Sequence, residues 1–535
     1  NQGYFYVAQL DALNGDFELA LEHIQKAISK NTEDHKALHL QVAFLRKLNQ
    51  KEKALQLADQ YLQNDLFNFG LLYEKYILST DKKDLAYLNA LIRDNIHTYV
   101  EYALDYSATG LYEEAASLLN EGLKDENTYP MAWYFAGSFY EKLNDFGQAE
   151  KCFQMASQAK PDYCFPNQIE AALVLSEVIQ KKNHDAKALY YLGNFWYASK
   201  FYDDAISCWE KSVAIDDTFP TVHRNLSLAY YNKLNDEQKA LSSLEKAFSL
   251  DLEDSRILME LDQLYKRLNR DLVFRLAFLE KHLELVIQRD DVYLERVTLY
   301  NLLGKHNKAL TLLQNRKFHP WEGGEGKVSG QYLISLTEIA KQQISEGNYD
   351  KAIELLEQAQ IYPENLGEGK LPGAQENDIH YWLGVAFEKK NNLEEANNWW
   401  HKATQGLEEP TAAIFYNDQQ PDKIFYQGLA FLKLNNIPEA NKRFEKFVAY
   451  AEKHVNDHVT IDYFAVSLPD LMIWEDDLDK RNKIHCLYMK GLGLLGLDKK
   501  VEAEETFNSV LSEEKSHSGV TIHLSLLKNE ESVSV

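Results

Sequence analysis

Cysteine is scarce in these 535 residues: Cys152, Cys164, Cys208 and Cys486 stand far apart, with no CxxC pair. Such spacing builds neither a zinc framework nor a disulfide scaffold, so buried free thiols are expected. Proline and glycine number only 11 and 24, so few points in the chain force a helix to stop. No run of about 18 apolar residues occurs, which leaves no candidate span for a bilayer. Positive charge is in the minority, with 57 Lys and Arg against 82 Asp and Glu and a formal charge of −25. That surface repels phosphate backbones and anionic headgroups, so nucleic acid is not expected as a general partner. There is no Gly-x-Ser-x-Gly elbow, no His-Glu-x-x-His and no Walker loop. No catalytic residue can therefore be assigned, and no cofactor is expected.

What is present is a repeat. A small residue followed twelve positions later by Ala recurs as Ala8/Ala20, Ala103/Ala115, Gly137/Ala149, Gly193/Ala205, Ala340/Ala352, Gly384/Ala396, Gly428/Ala440 and Gly491/Ala503. Val42/Ala54, Leu228/Ala240 and Val297/Ala309 keep the second Ala with a larger first partner. Two antiparallel helices approach closely only where small side chains face each other, so each pair marks a helical hairpin. Turns are expected at Asn14-Gly15-Asp16, Thr109-Gly110, Asn144-Asp145, Gly304-Lys305 and Gly347-Asn348, between the two members of a pair. Repeat starts follow at 1, 35, 96, 130, 186, 221, 290, 333, 377, 421 and 484, with a degenerate unit at 255–289. This is the 34-residue tetratricopeptide (TPR) pattern, in which hairpins stack and each meets its neighbours. The expected fold is all-α: a right-handed superhelical solenoid of about twelve TPR-like hairpins, with loop insertions in the C-terminal half.

Interruptions suggest the domain organisation. Residues 69–95 read as an irregular helix pair, and 164–185 as one extra helix built on Ile169, Leu173, Leu175 and Val178. The divisions expected are 1–163, the extra helix 164–185, central repeats 186–323, and 324–535 with inserted loops and a capping tail. In that tail, Val520, Ile522, Leu524, Leu526 and Leu527 are suited to covering the last repeat.

Three loops fall at equivalent places in successive repeats, around 319–327, 365–371 and 416–422, and such loops gather on one edge of a solenoid. Two share Gly-Glu-Gly-Lys, at 324–327 and 367–370. Either the Glu of one loop pairs with the Lys of another and locks the stack, or the loops contact a ligand. The ligand-binding candidates are His319, Trp321, Glu322, Glu325, Lys327, Glu368, Lys370, Asp378, Asp418, Gln419, Asp422 and Asp462. The longest insertion, 455–483, follows His454 and contains His458, four residues further on, with Asp462, Asp470 and the acidic run 475–479. Two histidines at that spacing can hold a metal, but capping or surface pairing is the favoured account of them, and no metal site is assigned. The acidic run is placed to cap the helix after it or to pair with Arg481 or Lys483.

The first helix of each hairpin should line the concave face. Its fifth position then gives groove rungs Tyr134, Tyr190, Asn225, Tyr381, Phe425 and Tyr488, which either stack on a ligand or pack between repeats.

The strings HPWEGGEGK (319–327), YPENLGEGKL (362–371), AQEND (374–378), YNDQQPD (416–422), IDYFAVSLPDL (461–471) and GLGLLGL (491–497), with YYLGN at 190–194 and VHRNL at 222–226, resemble a family of large bacterial TPR proteins. The resemblance runs from about 160 to 525 and is densest in the C-terminal half. Members carry a β-rich domain before the repeats that is similar to sugar-binding sandwiches. The resemblance thus implies that this chain is the solenoid of a longer bacterial protein, cytoplasmic or periplasmic, in a carbohydrate-related setting. Two functions follow as expectations. One is a scaffold that binds a protein partner or a covalently attached N-terminal domain. The other is a region bordering a saccharide cleft, marked by Trp321, Asp418, Asp422 and Asp462 in one pocket.

Overall fold

The computed structural model describes residues 2–124, 128–182, 184–321, 323–412, 418–460 and 472–533, with side chains placed up to 527. Every element among them is helical. The first hairpins pair Gln2–Leu13 (α1) with Phe17–Lys30 (α2) and His35–Lys47 (α3) with Lys51–Asn64 (α4). Phe69–Ser79 (α5) and Lys82–Ile92 (α6) form the irregular pair, followed by Ile96–Ser107 (α7) with Tyr112–Gly122 (α8) and Pro130–Lys142 (α9) with Phe146–Gln158 (α10). Ile169–Lys181 (α11) is the extra helix. Then come Ala186–Ala198 (α12) with Tyr202–Ile215 (α13), next Pro220–Asn232 (α14) and Glu237–Leu250 (α15), and then Ser255–Arg267 (α16) with Leu272–Lys281 (α17) and the short Leu283–Val286 (α18). Asp290–Leu302 (α19) pairs with His306–Gln314 (α20), Lys327–Ser345 (α21) with Tyr349–Ala359 (α22), and Asn377–Lys389 (α23) with Leu393–Ala403 (α24). Pro421–Lys433 (α25) with Ile437–His454 (α26), Leu478–Gly496 (α27) with Lys500–Glu513 (α28), and Ser518–Val533 (α29) complete the chain.

One residue turns each hairpin, and its position is constant. Seven residues after the first member of every pair the backbone enters the left-handed region: Gly15, Asn49, Gly110, Asn144, Lys200, Asn235, Gly304, Gly347, Asn391, Asn435 and Asp498. Glycine and asparagine dominate because they tolerate positive φ with little strain.

A second regularity sets the spacing of the two helices. Sixteen residues after each Gly of a pair stands an aromatic ring: Phe153 over Gly137, Trp209 over Gly193, Trp400 over Gly384, Phe444 over Gly428 and Phe507 over Gly491. A Cβ on Gly137 would come 2.5 Å from Phe153, and at the other four positions it would clash with the ring in the same way. Where the first member is Ala, the sixteenth residue is aliphatic: Ile24, Leu119 and Leu356. Size is thus traded across the interface at roughly constant volume, as a close-packed core requires.

The degenerate hairpin replaces this exchange with charge. Asp262 stands where the small residue belongs and meets Arg275 of α17, whose side chain is fully buried, at 2.7 Å. Glu295 of α19 takes the same guanidinium at 2.8 Å, and Lys266 pairs with Glu295 at 3.0 Å.

By contacts the chain divides into residues 1–229 and 230–535. Helix α11 packs on both α9 and α12, so the extra helix continues the stack. Of its proposed apolar contacts, Leu175 and Val178 are buried, whereas Ile169 and Leu173 stand exposed.

Candidate functional site

The three inserted loops interlock. Glu368 of the second loop accepts hydrogen bonds from the backbone N–H groups of Gly326 and Ser329, at 2.8 and 2.7 Å. A carboxylate on two free amides at a helix start is the favoured charge arrangement, and it carries α21 forward to Lys327 rather than 333. Alongside, the Phe318 amide donates to the Asn365 carbonyl at 2.8 Å, and the Asn365 side chain donates to the carbonyls of Leu313 and Arg316. Gly367, at φ +76°, passes so close to the Phe318 carbonyl that a Cβ would lie 2.6 Å from it. The second Gly-Glu-Gly-Lys thus clamps the first loop, through backbone amides and without its lysine. Lys370 instead donates to the Gln360 carbonyl at 3.0 Å and pairs with Glu376 at 2.7 Å. The third loop is tied in by Gln375, which accepts from the Gln420 amide at 3.1 Å and donates to the Asp418 carbonyl at 3.2 Å.

Of the other candidates, Asp378 and Asp422 are brought together through Lys423. His319 lies on the surface against Asp290, Glu325 and Lys327 are exposed, and the Trp321 ring sits over Gly324. Gln419 is buried. Glu322 and Asp462 lie outside the described residues, as do 416–417 and the string 461–471. Trp321, Asp418 and Asp422 are thus each engaged in their own surroundings: Trp321 by Gly324, Asp418 through its carbonyl by Gln375, and Asp422 by Lys423 at 3.3 Å. His454 and His458 do not converge either, pairing with Asp457 and Asp479 respectively. No group of three metal-ligating side chains occurs among the described residues.

The long insertion ends in a strap across residues 473–476. Asn232 donates to the Ile473 carbonyl at 2.9 Å and accepts from the Glu475 amide at 3.0 Å. Arg267 holds the Trp474 and Glu475 carbonyls and pairs with Asp476 at 2.6 Å. Trp474 is buried with its ring 5.1 Å from that of Tyr231. Asp477 caps α27 by accepting from the Lys480 amide at 2.9 Å. Further on, Asn269 pairs with the backbone of Ser512 and Lys515, and Arg275 donates to the Ser516 hydroxyl at 3.1 Å. The last hairpin of the C-terminal unit is thereby fastened to its first.

Inside that unit, a strip of polar and aromatic side chains crosses successive first helices. On α21, Lys341 pairs with Glu338 at 2.7 Å and stands 5.4 Å above the Trp382 ring of α23. Tyr381 and Trp382 meet Tyr426 of α25 at 5.5 and 6.5 Å. Lys423 bridges Asp378 at 2.6 Å and Asp422 at 3.3 Å. Burial opposes the Lys423 ammonium, but the two carboxylates outweigh it and hold its pKa above the usual lysine range. Burial likewise pushes Asp422 up, against the pull of Lys423. Asp422 keeps 28% of its side-chain exposure, so the triad is enclosed without being sealed.

Most of the groove rungs pack between repeats, one of the two readings expected of them. Tyr134, Tyr190, Phe425 and Tyr488 are buried, and do not form an open ladder. Tyr134 donates to Asp185 at 2.9 Å, Tyr190 packs edge-on to Phe219, and Asn225 donates to Asn194 at 3.0 Å. The fifth position faces the adjoining hairpin closely enough for a large ring to be covered by it. Only Tyr381 and Asn225 keep partial exposure. The signal that finds the strip is the sixth position, with Glu338, Trp382 and Tyr426.

Two segments match family models of the tetratricopeptide repeat, residues 338–397 and residues 132–163. Among solved structures, the P58(IPK) TPR domain aligns with 74% of this chain and 92% of its own length, at 16% identity and a TM-score of 0.24. MamA from Desulfovibrio magneticus RS-1 covers 36% of this chain and 97% of its own, at 22% identity and a TM-score of 0.22. A thermophilic TPR protein of Thermus thermophilus covers 38% and 98%, at 18% identity and a TM-score of 0.23.

Proposed function

We propose that the chain is a protein-binding scaffold whose C-terminal unit holds a peptide segment of its partner along the strip from Lys341 to Lys423. The observation that carries this reading is the strip itself. Trp382 and Tyr381 offer apolar area, while the Asp378–Lys423–Asp422 triad offers both signs of charge to a polar backbone or side chain. Aromatic anchors beside a desolvated charge cluster are what concentrate affinity in protein interfaces. The TPR matches favour the same class of function. The saccharide reading has no specific observation behind it: Trp321 rests on Gly324, and Asp462 lies outside the described residues. No described helix is long and apolar enough to cross a membrane.

Selection of a displayed random-peptide library on the full chain tests this. Enriched peptides should lose at least about tenfold in affinity on Trp382→Ala and on Lys423→Gln, with unfolding midpoints close to that of the parent chain. Peptides indifferent to both substitutions, or no enrichment at all, would overturn it.

A further inference from the structure

Helix α29 covers one end of this strip, with His523 against Tyr426. The first helices α21, α23, α25 and α27 pack in order along the unit, each on the next. Helix α29 follows α28 where the first helix of another hairpin would stand, yet it reaches past α27 to α25. The His523 ring lies 5.2 Å from Phe425, 5.8 Å from Tyr426 and 5.9 Å from Tyr488. Val520, His523, Leu524 and Leu527, spaced i, i+3, i+4 and i+7, are all buried, and the three apolar ones share a core with Ile424, Phe425 and Met489. Gly519 lets the helix approach, since a Cβ there would lie 2.6 Å from the Tyr488 hydroxyl. One apolar stripe of a helix laid into a groove is a recurring mode of peptide recognition.

The fit has a flaw at its centre. His523 Nδ1 is bonded to the Gly519 carbonyl at 2.7 Å and meets the Tyr488 hydroxyl at 3.3 Å, but its Nε2 is buried with no hydrogen-bond partner. A buried polar atom left unpaired costs free energy that an apolar side chain of similar size would not. Helix α29 is therefore a poorer occupant than the groove could accept.

We infer that the groove of the C-terminal unit takes an amphipathic partner helix with apolar residues at i, i+3, i+4 and i+7, and that α29 is a weaker built-in occupant which this partner displaces. The inference deepens the protein-binding reading and rests on it. The partner's i+3 residue replaces His523 with an aliphatic side chain, and its affinity is lowered by the fraction of chains in which α29 is seated.

The probe that tests this is a fluorescently labelled peptide of residues 516–533 carrying His523→Leu, titrated onto the full chain. It should bind at least about tenfold more tightly than the same peptide with histidine. A chain carrying Leu524→Asp, whose own helix is loosened, should bind it about tenfold more tightly than the parent chain. A chain carrying His523→Leu, whose own helix is seated more firmly, should bind it about tenfold more weakly. Should Leu524→Asp melt early, the His523→Leu chain decides alone, and an unchanged affinity there overturns the inference. Equal binding of the two peptides overturns it as well. If library peptides bind through Trp382 and Lys423 while the helical probe does not, this inference falls and the scaffold reading stands. If neither binds, both fall.

Discussion

The indole of Trp400 fills the space that a Cβ on Gly384 would occupy. The same relationship joins Gly and an aromatic ring in four other hairpins. Gly384→Ala should therefore destabilise the C-terminal unit by about 2 kcal/mol, the usual scale for overpacking a close-packed core. Adding Trp400→Leu recreates the Ala340/Leu356 combination already used by the preceding hairpin. The double variant should recover much of the loss, giving a favourable coupling in a denaturation double-mutant cycle. Additive losses would mean that ring and glycine do not share the space.

Glu368 should be worth about 1 kcal/mol as the cap of α21, in line with other N-terminal caps. Glu368→Ala should leave the Gly326 and Ser329 amides exchanging faster with solvent deuterium, along with Phe318 in the clamped loop. Unchanged exchange at Gly326 and Ser329 would show that the clamp holds without the carboxylate.

Removing one partner of the buried pair in the degenerate hairpin should cost far more than replacing both. Asp262→Ala leaves the buried Arg275 with only Glu295 and the Ser516 hydroxyl, and a loss of about 3 kcal/mol is expected from removing its two-point carboxylate partner. Asp262→Leu together with Arg275→Met should cost markedly less, read from urea midpoints. Equal losses in the two cases would place the stability in geometry specific to the ion pair.

Hairpin register was legible in the sequence because two small-residue positions twelve apart, with a turn between them, are set within one hairpin. The aromatic ring sixteen residues on is just as local, since it faces its glycine within the same hairpin. Contacts such as Glu368 on Gly326 or Asn232 on Glu475 were not legible, since they depend on how loops from separate repeats meet. The choice between the two readings of the rungs was not legible for a related reason: whether Tyr134 or Phe425 faces a groove depends on the approach of the adjoining hairpin. Of the tail residues suited to covering the last repeat, Val520, Leu524 and Leu527 are buried with His523 on one face of a helix, whereas Ile522 and Leu526 are only partly buried.

His39 should make the N-terminal unit sensitive to acid. It is fully buried in α3, edge-on to Tyr102 and Tyr106, and neither ring nitrogen has a hydrogen-bond partner. Burial, with Lys36 acting in the same direction, pushes its pKa down to about 3. In the unfolded chain the imidazole takes up its proton near pH 6.5. Below that value the unfolded state binds a proton that the folded state refuses. Stability from the neutral ring is thus complete above pH 6.5 and falls on acidification toward pH 3, by roughly 1.4 kcal/mol per unit within the window. Asp105 works the other way between about pH 4 and 6, because burial holds its carboxyl up at about 6 despite Lys36. Comparing the parent chain with His39→Leu at pH 7.5, 6 and 5 cancels that contribution. Amide exchange in α3 and α7 should slow in His39→Leu relative to the parent, and the gap should widen as pH falls. A gap independent of pH would mean that His39 is protonated in the folded chain as readily as in the unfolded one.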